Sequence, residues 1–130
     1  MENCIFCKII KGEIPCEKVY EDKNFLAFLD IEPVSEGHIL VIPKTHVVWM
    51  QEADEEMILG IFKLVKKLMR SAKTGIGCDY VNVSVAGADV PHFHIHLIPR
   101  YFNDGLPKWP GKKYQEGQSG EIAKKIISTL

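Results

Sequence analysis

The chain has 130 residues, 46% hydrophobic and 25% charged, with a formal net charge of -1 at pH 7. That length suits one compact domain with its own core, and near-neutrality excludes capture of nucleic acid or an anionic membrane by bulk charge, so any ligand must be recognised in a site. A basic-then-apolar leader and a membrane-length apolar run are both missing, which predicts a cytoplasmic protein without a membrane partner, and four unevenly placed cysteines do not suggest a secreted disulfide framework. From the N-terminus, Cys4 to Ile14 carries Ile5, Phe6, Ile9, Ile10 and Ile14 at the spacing of a short amphipathic helix or turn, closed by Gly12 and Pro15. Val19 and Tyr20 predict a first strand, Glu21 to Asn24 a turn, Phe25 to Leu29 a second strand and His38 to Ile42 a third, with Ile31 to Gly37 connecting the last two. Asp54 is placed to cap a long helix. In it Met57, Ile58, Ile61, Phe62, Val65, Leu68, Met69 and Ala72 share one face and Lys63, Lys66, Lys67 and Arg70 lie largely on the other, ending near Thr74 to Gly77. Tyr80 to Val85 and His92 to Pro99 predict two more strands, joined by Ala86 to Pro91. After Arg100, Gly, Pro and Lys recur to Gly120 without a period, which predicts an irregular excursion before a short helix from Glu121 to the C-terminus. The sum is an α+β domain with a five-stranded antiparallel sheet, one long helix and a short N-terminal helix.

His92, His94 and His96 alternate with Phe93, Ile95 and Leu97, the period of a half-buried strand. Three imidazoles are thereby expected on one face, displayed along a rigid edge while the apolar residues turn into a core. From His92 to His96 is about 13 Å at about 3.3 Å per residue, so one metal ion does not easily take all three. Spacing alone leaves both a second metal centre and covalent catalysis by imidazole open. Neutral imidazole is a competent nucleophile near pH 7 because its reference pKa is about 6.5, and it suits attack on phosphorus. A phosphate loop of the GxxxxGK type is absent from the sequence.

Cys4 and Cys7, with two residues between them, have the spacing that lets two thiolates reach one tetrahedral zinc ion. Such a pair is half a site, and histidines are the natural completion, with His46 just after the third strand and His92 at the start of the histidine run. A redox pair would require a thioredoxin-like βαβ context, which the pattern lacks. Two small buried thiols are the third reading.

The run His-Phe-His-Ile-His-Leu-Ile at residues 92–98 resembles the signature of the histidine triad (HIT) family of nucleotide hydrolases and transferases. Three other blocks resemble the family in the expected order: Cys-Ile-Phe-Cys-Lys-Ile-Ile at 4–10, Phe-Leu-Ala-Phe-Leu-Asp-Ile at 25–31, and Gly-His-Ile-Leu-Val-Ile-Pro-Lys-Thr-His at 37–46. Similarity thus runs from Cys4 to about Arg100. The resemblance implies that His94 attacks the α-phosphorus of a nucleotide to give a covalent nucleotidyl-histidine that water cleaves. It implies that His96 donates to the phosphate oxygens and that His38 supports the orientation of the nucleophile. It implies a structural zinc held by Cys4, Cys7, His46 and His92, and no organic cofactor. Asp30 would accept hydrogen bonds from the two ribose hydroxyls, and Phe6, Ile9, Ile14, Phe28 and Ile31 would form an apolar slot for a purine base. A homodimer joined through the long helix and a neighbouring strand is also implied.

The loop Ala86-Gly87-Ala88-Asp89-Val90-Pro91 departs from the family's common Ala-Gly-Gln pattern, so Ala88 lacks the amide that usually helps hold the phosphate. Asp89 stands where the phosphoramidate-cleaving branch often has serine. It would act as a general acid for the leaving group if its pKa were raised, the role expected here, and would repel phosphate if it stayed ionised. The expected activity is hydrolysis of a purine nucleoside phosphoramidate or a related adduct on the α-phosphate. A dinucleoside polyphosphate hydrolase would need a basic platform, for which Lys108, Lys112 and Lys113 are candidates. A nucleotide-binding interaction protein with catalysis silenced by the altered loop is the non-enzymatic alternative.

Overall fold

The computed structural model describes residues 3–107 and 109–130. In chain order the elements are α1 (Ile5–Ile10), β1 (Lys18–Glu21), β2 (Phe25–Leu29), β3 (Ile39–Pro43), α2 (Glu55–Ile76), β4 (Tyr80–Ser84), β5 (Ile95–Arg100) and α3 (Gln118–Ile127). All five strands pair antiparallel in one sheet of order β1-β2-β3-β5-β4. This is the α+β architecture read from the sequence.

The centre of the sheet is buried on both faces, which is why β2 and β3 read as unbroken apolar runs rather than alternating ones. On one face Phe25, Ala27, Ile39, Val41, Phe93, Ile95 and Leu97 meet Ile61, Leu64, Val65, Leu68 and Ala72 of α2. On the other, Leu26, Phe28, Leu40 and Ile42 are covered by Cys4 and Phe6. A Leu, Ile or Phe buried this fully contributes about 1.5–3 kcal/mol. Helix α2 starts where Asp54 accepts the Met57 N–H at 2.8 Å, and stops at Gly77, whose φ of 81° takes the left-handed turn. Gly37 turns the chain into β3 at φ 90°, and a Cβ there would lie 3.0 Å from the Ile76 side chain.

The histidine run differs from its expected placement in two ways. Strand β5 begins at Ile95, not at His92. Continuing the β3–β5 register of Val41 with Ile95 would set Phe93 against Pro43, which has no N–H to give the ladder. His92 and Phe93 instead donate their backbone N–H groups to Val90 and Val47 at 2.8 and 2.6 Å. Nor do the histidines line an open edge: β5 lies between β3 and β4, and His92 and His94 are 0% and 1% exposed. Smaller differences are that α1 occupies only part of the 4–14 segment, α3 begins at Gln118 rather than Glu121, and a 3-10 turn forms at Met50–Glu52.

Candidate active site

His94 projects from the bend just before β5 onto the face covered by α1, with the Phe6 ring edge-on at 5.1 Å. Its Nδ1 lies 2.7 Å from the His92 carbonyl, which can only accept, so Nδ1 carries the proton and Nε2 keeps a lone pair. Nε2 is buried and has no hydrogen-bond partner. Asp89 Oδ1 comes within 3.3 Å of it, inside ion-pair range but off the line of a hydrogen bond. Burial pushes the Asp89 carboxyl up, yet the backbone N–H groups of Asp89 and Val90 and the potential of His94 and His96 outweigh it, so its pKa falls below the ordinary value. The raised pKa that a general acid requires is therefore not found at Asp89 in the free site.

His96 belongs to a chain of fixed tautomers. The Val34 N–H donates to His38 Nδ1 at 3.1 Å, which puts the His38 proton on Nε2, 2.9 Å from His96 Nδ1. His96 is thereby an acceptor at Nδ1 and a donor at Nε2. Burial pushes the pKa of His38 down against the pull of Asp30, and burial followed by His94 does the same to His96. Both are neutral near pH 7, which the relay requires. Asp30 is oriented by the Glu32 N–H at 2.9 Å on Oδ1, while its Oδ2 lies 3.7 Å from His38 Nε2, whose proton is directed at His96.

His94, His96, Asp30 and Asp89 open on one cleft of about 230 Å3, together with the expected apolar residues Phe6, Ile9, Ile14, Phe28 and Ile31. Ile5, Pro15, Cys16, Leu29, Leu40 and Val90 complete its walls and were not singled out from the sequence. Pro15 and Cys16 directly follow Ile14, the one signal that could have found them. Lys112 and Lys113 border a different depression with Tyr114 and Gln118, and Lys108 lies outside the described residues. The described residues thus give a polyphosphate chain no basic platform at this cleft.

Cys4, Cys7, His46 and His92 converge beside the cleft, their four donor atoms all within 4.8 Å of one another. The edges are 3.3 Å for Cys4 Sγ to His92 Nδ1, 3.3 Å for Cys7 Sγ to His46 Nδ1, 3.6 Å for Cys7 Sγ to His92 Nδ1 and 3.2 Å between the two Nδ1 atoms. A tetrahedral zinc with ordinary Zn–S and Zn–N bonds needs edges of about 3.3–3.8 Å. His92 donates its Nε2 proton to the Pro43 carbonyl at 2.8 Å, so its Nδ1 lone pair faces the sulfurs. Burial and the adjacent Cys4 push the Cys7 thiol up.

A family model for the HIT domain matches residues 11–103. The chain belongs to the HIT family. An adenosine 5′-monophosphoramidase of Schizosaccharomyces pombe is 47% identical over 118 residues, covering 83% of this chain and 86% of the relative. A crystal structure of a HIT family member from Bacillus subtilis shares 40% identity over 98% of this chain and 97% of that one, with a TM-score of 0.88. A zinc-bound histidine triad family protein from Mycobacterium smegmatis shares 32% identity over 99% and 96% of the two chains, with a TM-score of 0.77. Among the described residues of this HIT domain, no helix is long and apolar enough to cross a membrane.

Proposed function

We propose that this HIT protein hydrolyses purine nucleoside 5′-phosphoramidates, or related adducts on the α-phosphate, and releases the nucleoside monophosphate. The observation that carries the reading is the His94 Nε2 atom: buried, unpartnered, unprotonated by virtue of the Nδ1 bond, and carried by a ring that lines the cleft. Its lone pair attacks the α-phosphorus, and the P–N bond to the leaving amine breaks with its electron pair on the amine, which takes a proton from water at the cleft mouth. A water then attacks the phosphorus of nucleotidyl-His94, the N–P bond returns its pair to Nε2, and the water's spare proton passes to solvent. His96 Nε2–H stabilises the phosphoryl oxygens as charge builds. Asp30 accepts from the ribose hydroxyls while the base lies among Phe6, Ile9, Ile14, Phe28 and Ile31. The preference for an adenine nucleotide draws support from the named activity of the yeast relative.

Cys4, Cys7, His46 and His92 would hold one zinc, which when bound neutralises the thiolates and ties α1 to the loop that carries His94. A homodimer fits the same reading, because β4 is an open edge of the sheet with Tyr80 and Val83 exposed. The decisive variant is His94→Ala, which should lower kcat by about a thousandfold or more while the monophosphate Kd stays within about threefold, since the lost interaction is made as the bond to phosphorus forms. Retention of most of the wild-type rate would overturn the assignment.

A further inference from the structure

The described residues lining the cleft include two carboxylates, Asp30 and Asp89, and no Lys or Arg. A phosphate site without a fixed cation is poorly matched to a leaving group that adds negative charge, because nothing offsets the extra repulsion. The two carboxylates differ in setting. Asp30 is held by the Glu32 N–H, with its side chain 21% exposed. The Asp89 side chain is 67% exposed and yet places Oδ1 3.3 Å from His94 Nε2, across the approach to the attacking nitrogen. A phosphoryl group entering there must displace it outward, toward solvent. The leaving group of an in-line displacement departs in the same sense, away from Nε2.

We propose that the Asp89 carboxylate at the rim selects the leaving group by charge, which makes phosphoramidates of cationic amines the preferred substrates and anionic leaving groups, polyphosphate and sulfate included, the poorest. This rests on the hydrolase reading above and names its substrate class. The low pKa of Asp89 keeps the charge in place through neutral pH. The chemical step is unchanged: Nε2 forms the N–P bond, and the P–N bond breaks with its pair on the amine, which is protonated by water. For charges about 7 Å apart at an effective dielectric between those of a protein surface and water, the effect is on the order of tenfold per unit charge.

The test uses three adenosine 5′-phosphoramidates of equal chain length whose amines end in an ammonium, a neutral amide or a carboxylate. Wild-type kcat/KM should fall in that order by about tenfold at each step in low salt, and the spread should shrink in about 0.5 M salt. Asp89→Asn should cut the ammonium-to-carboxylate ratio by about tenfold or more, and Asp89→Glu should keep the order. Equal rates for all three probes, or a ratio unchanged in Asp89→Asn, would overturn the inference and leave hydrolysis in place. Cleavage of none of them by the wild type would overturn both.

Discussion

His94 donates its Nδ1–H to the His92 carbonyl in a hydrogen bond and thereby keeps a lone pair on Nε2, while His96 accepts at Nδ1 and is left with a proton on Nε2. Two neighbouring imidazoles thus receive opposite chemistry from the bonds on their far sides. Replacing His38 by Gln breaks the link that fixes His96, and should lower kcat by about ten- to a hundredfold with little change in nucleotide Kd, as read from steady-state kinetics and calorimetry. Because burial lowers the pKa of both His38 and His96, the unfolded chain binds more protons than the native one once pH drops below the unfolded value of about 6.5. Stability is complete above that value and is lost as pH falls through the folded values. Melting temperature should fall on acidification, less steeply in His38→Gln than in wild type, and identical slopes would contradict the assignment. Asp30→Ala should weaken a ribonucleotide more than its dideoxy analogue, by about 1.5–3 kcal/mol for the charge-assisted bonds lost. At Asp89, neutral leaving groups of rising basicity should give parallel rate slopes in wild type and Asp89→Asn. A steeper slope in the variant would restore the general-acid role.

Helix α1 has six residues, too few to persist by itself, so its position depends on Phe6 and on the Cys4, Cys7, His46 and His92 cluster. Elemental analysis should find one zinc per chain. Cys4→Ser should lose it together with several degrees of melting temperature, and with activity, since Phe6 packs against His94. Zinc-free wild-type protein of full stability would refute the cross-link. At the turn into β3, Gly37→Ala should cost about 1 kcal/mol or more in denaturant unfolding, from a φ of 90° and a Cβ pressed on Ile76. The sequence discloses β2, β3 and α2 almost to the residue because short apolar runs bounded by turn residues read as buried strands and a capped helical stripe reads as a helix. It misplaces the start of β5 because His-Phe-His continues the alternation past the point where Pro43 ends the ladder, a constraint set by a partner strand. Four donors for a metal are legible from cysteine spacing and family resemblance together. The cleft walls at Leu29, Leu40 and Val90 are not, since an apolar residue reads as core until it is known which surface α1 leaves uncovered.

At the scale of the whole molecule, the sheet is asymmetric: α2 seals one face along its length, whereas α1 covers only part of the other and leaves the cleft beside it. The histidines sit at the boundary between packed core and open space, where a nitrogen can be buried and still meet a ligand. The exposed edge at β4 is a separate feature, and sedimentation should return the mass of two chains, reduced to one by Val83→Pro, which removes an edge donor. A single-chain mass for wild type would contradict the dimer. The nucleophile itself is tested most directly by a denaturing alkaline quench during turnover of a slow adenosine phosphoramidate, followed by peptide mass spectrometry. The expected result is an adenylyl group on the peptide at His94, absent from His94→Ala; turnover with no adduct, or with the adduct on another residue, would contradict covalent catalysis by His94.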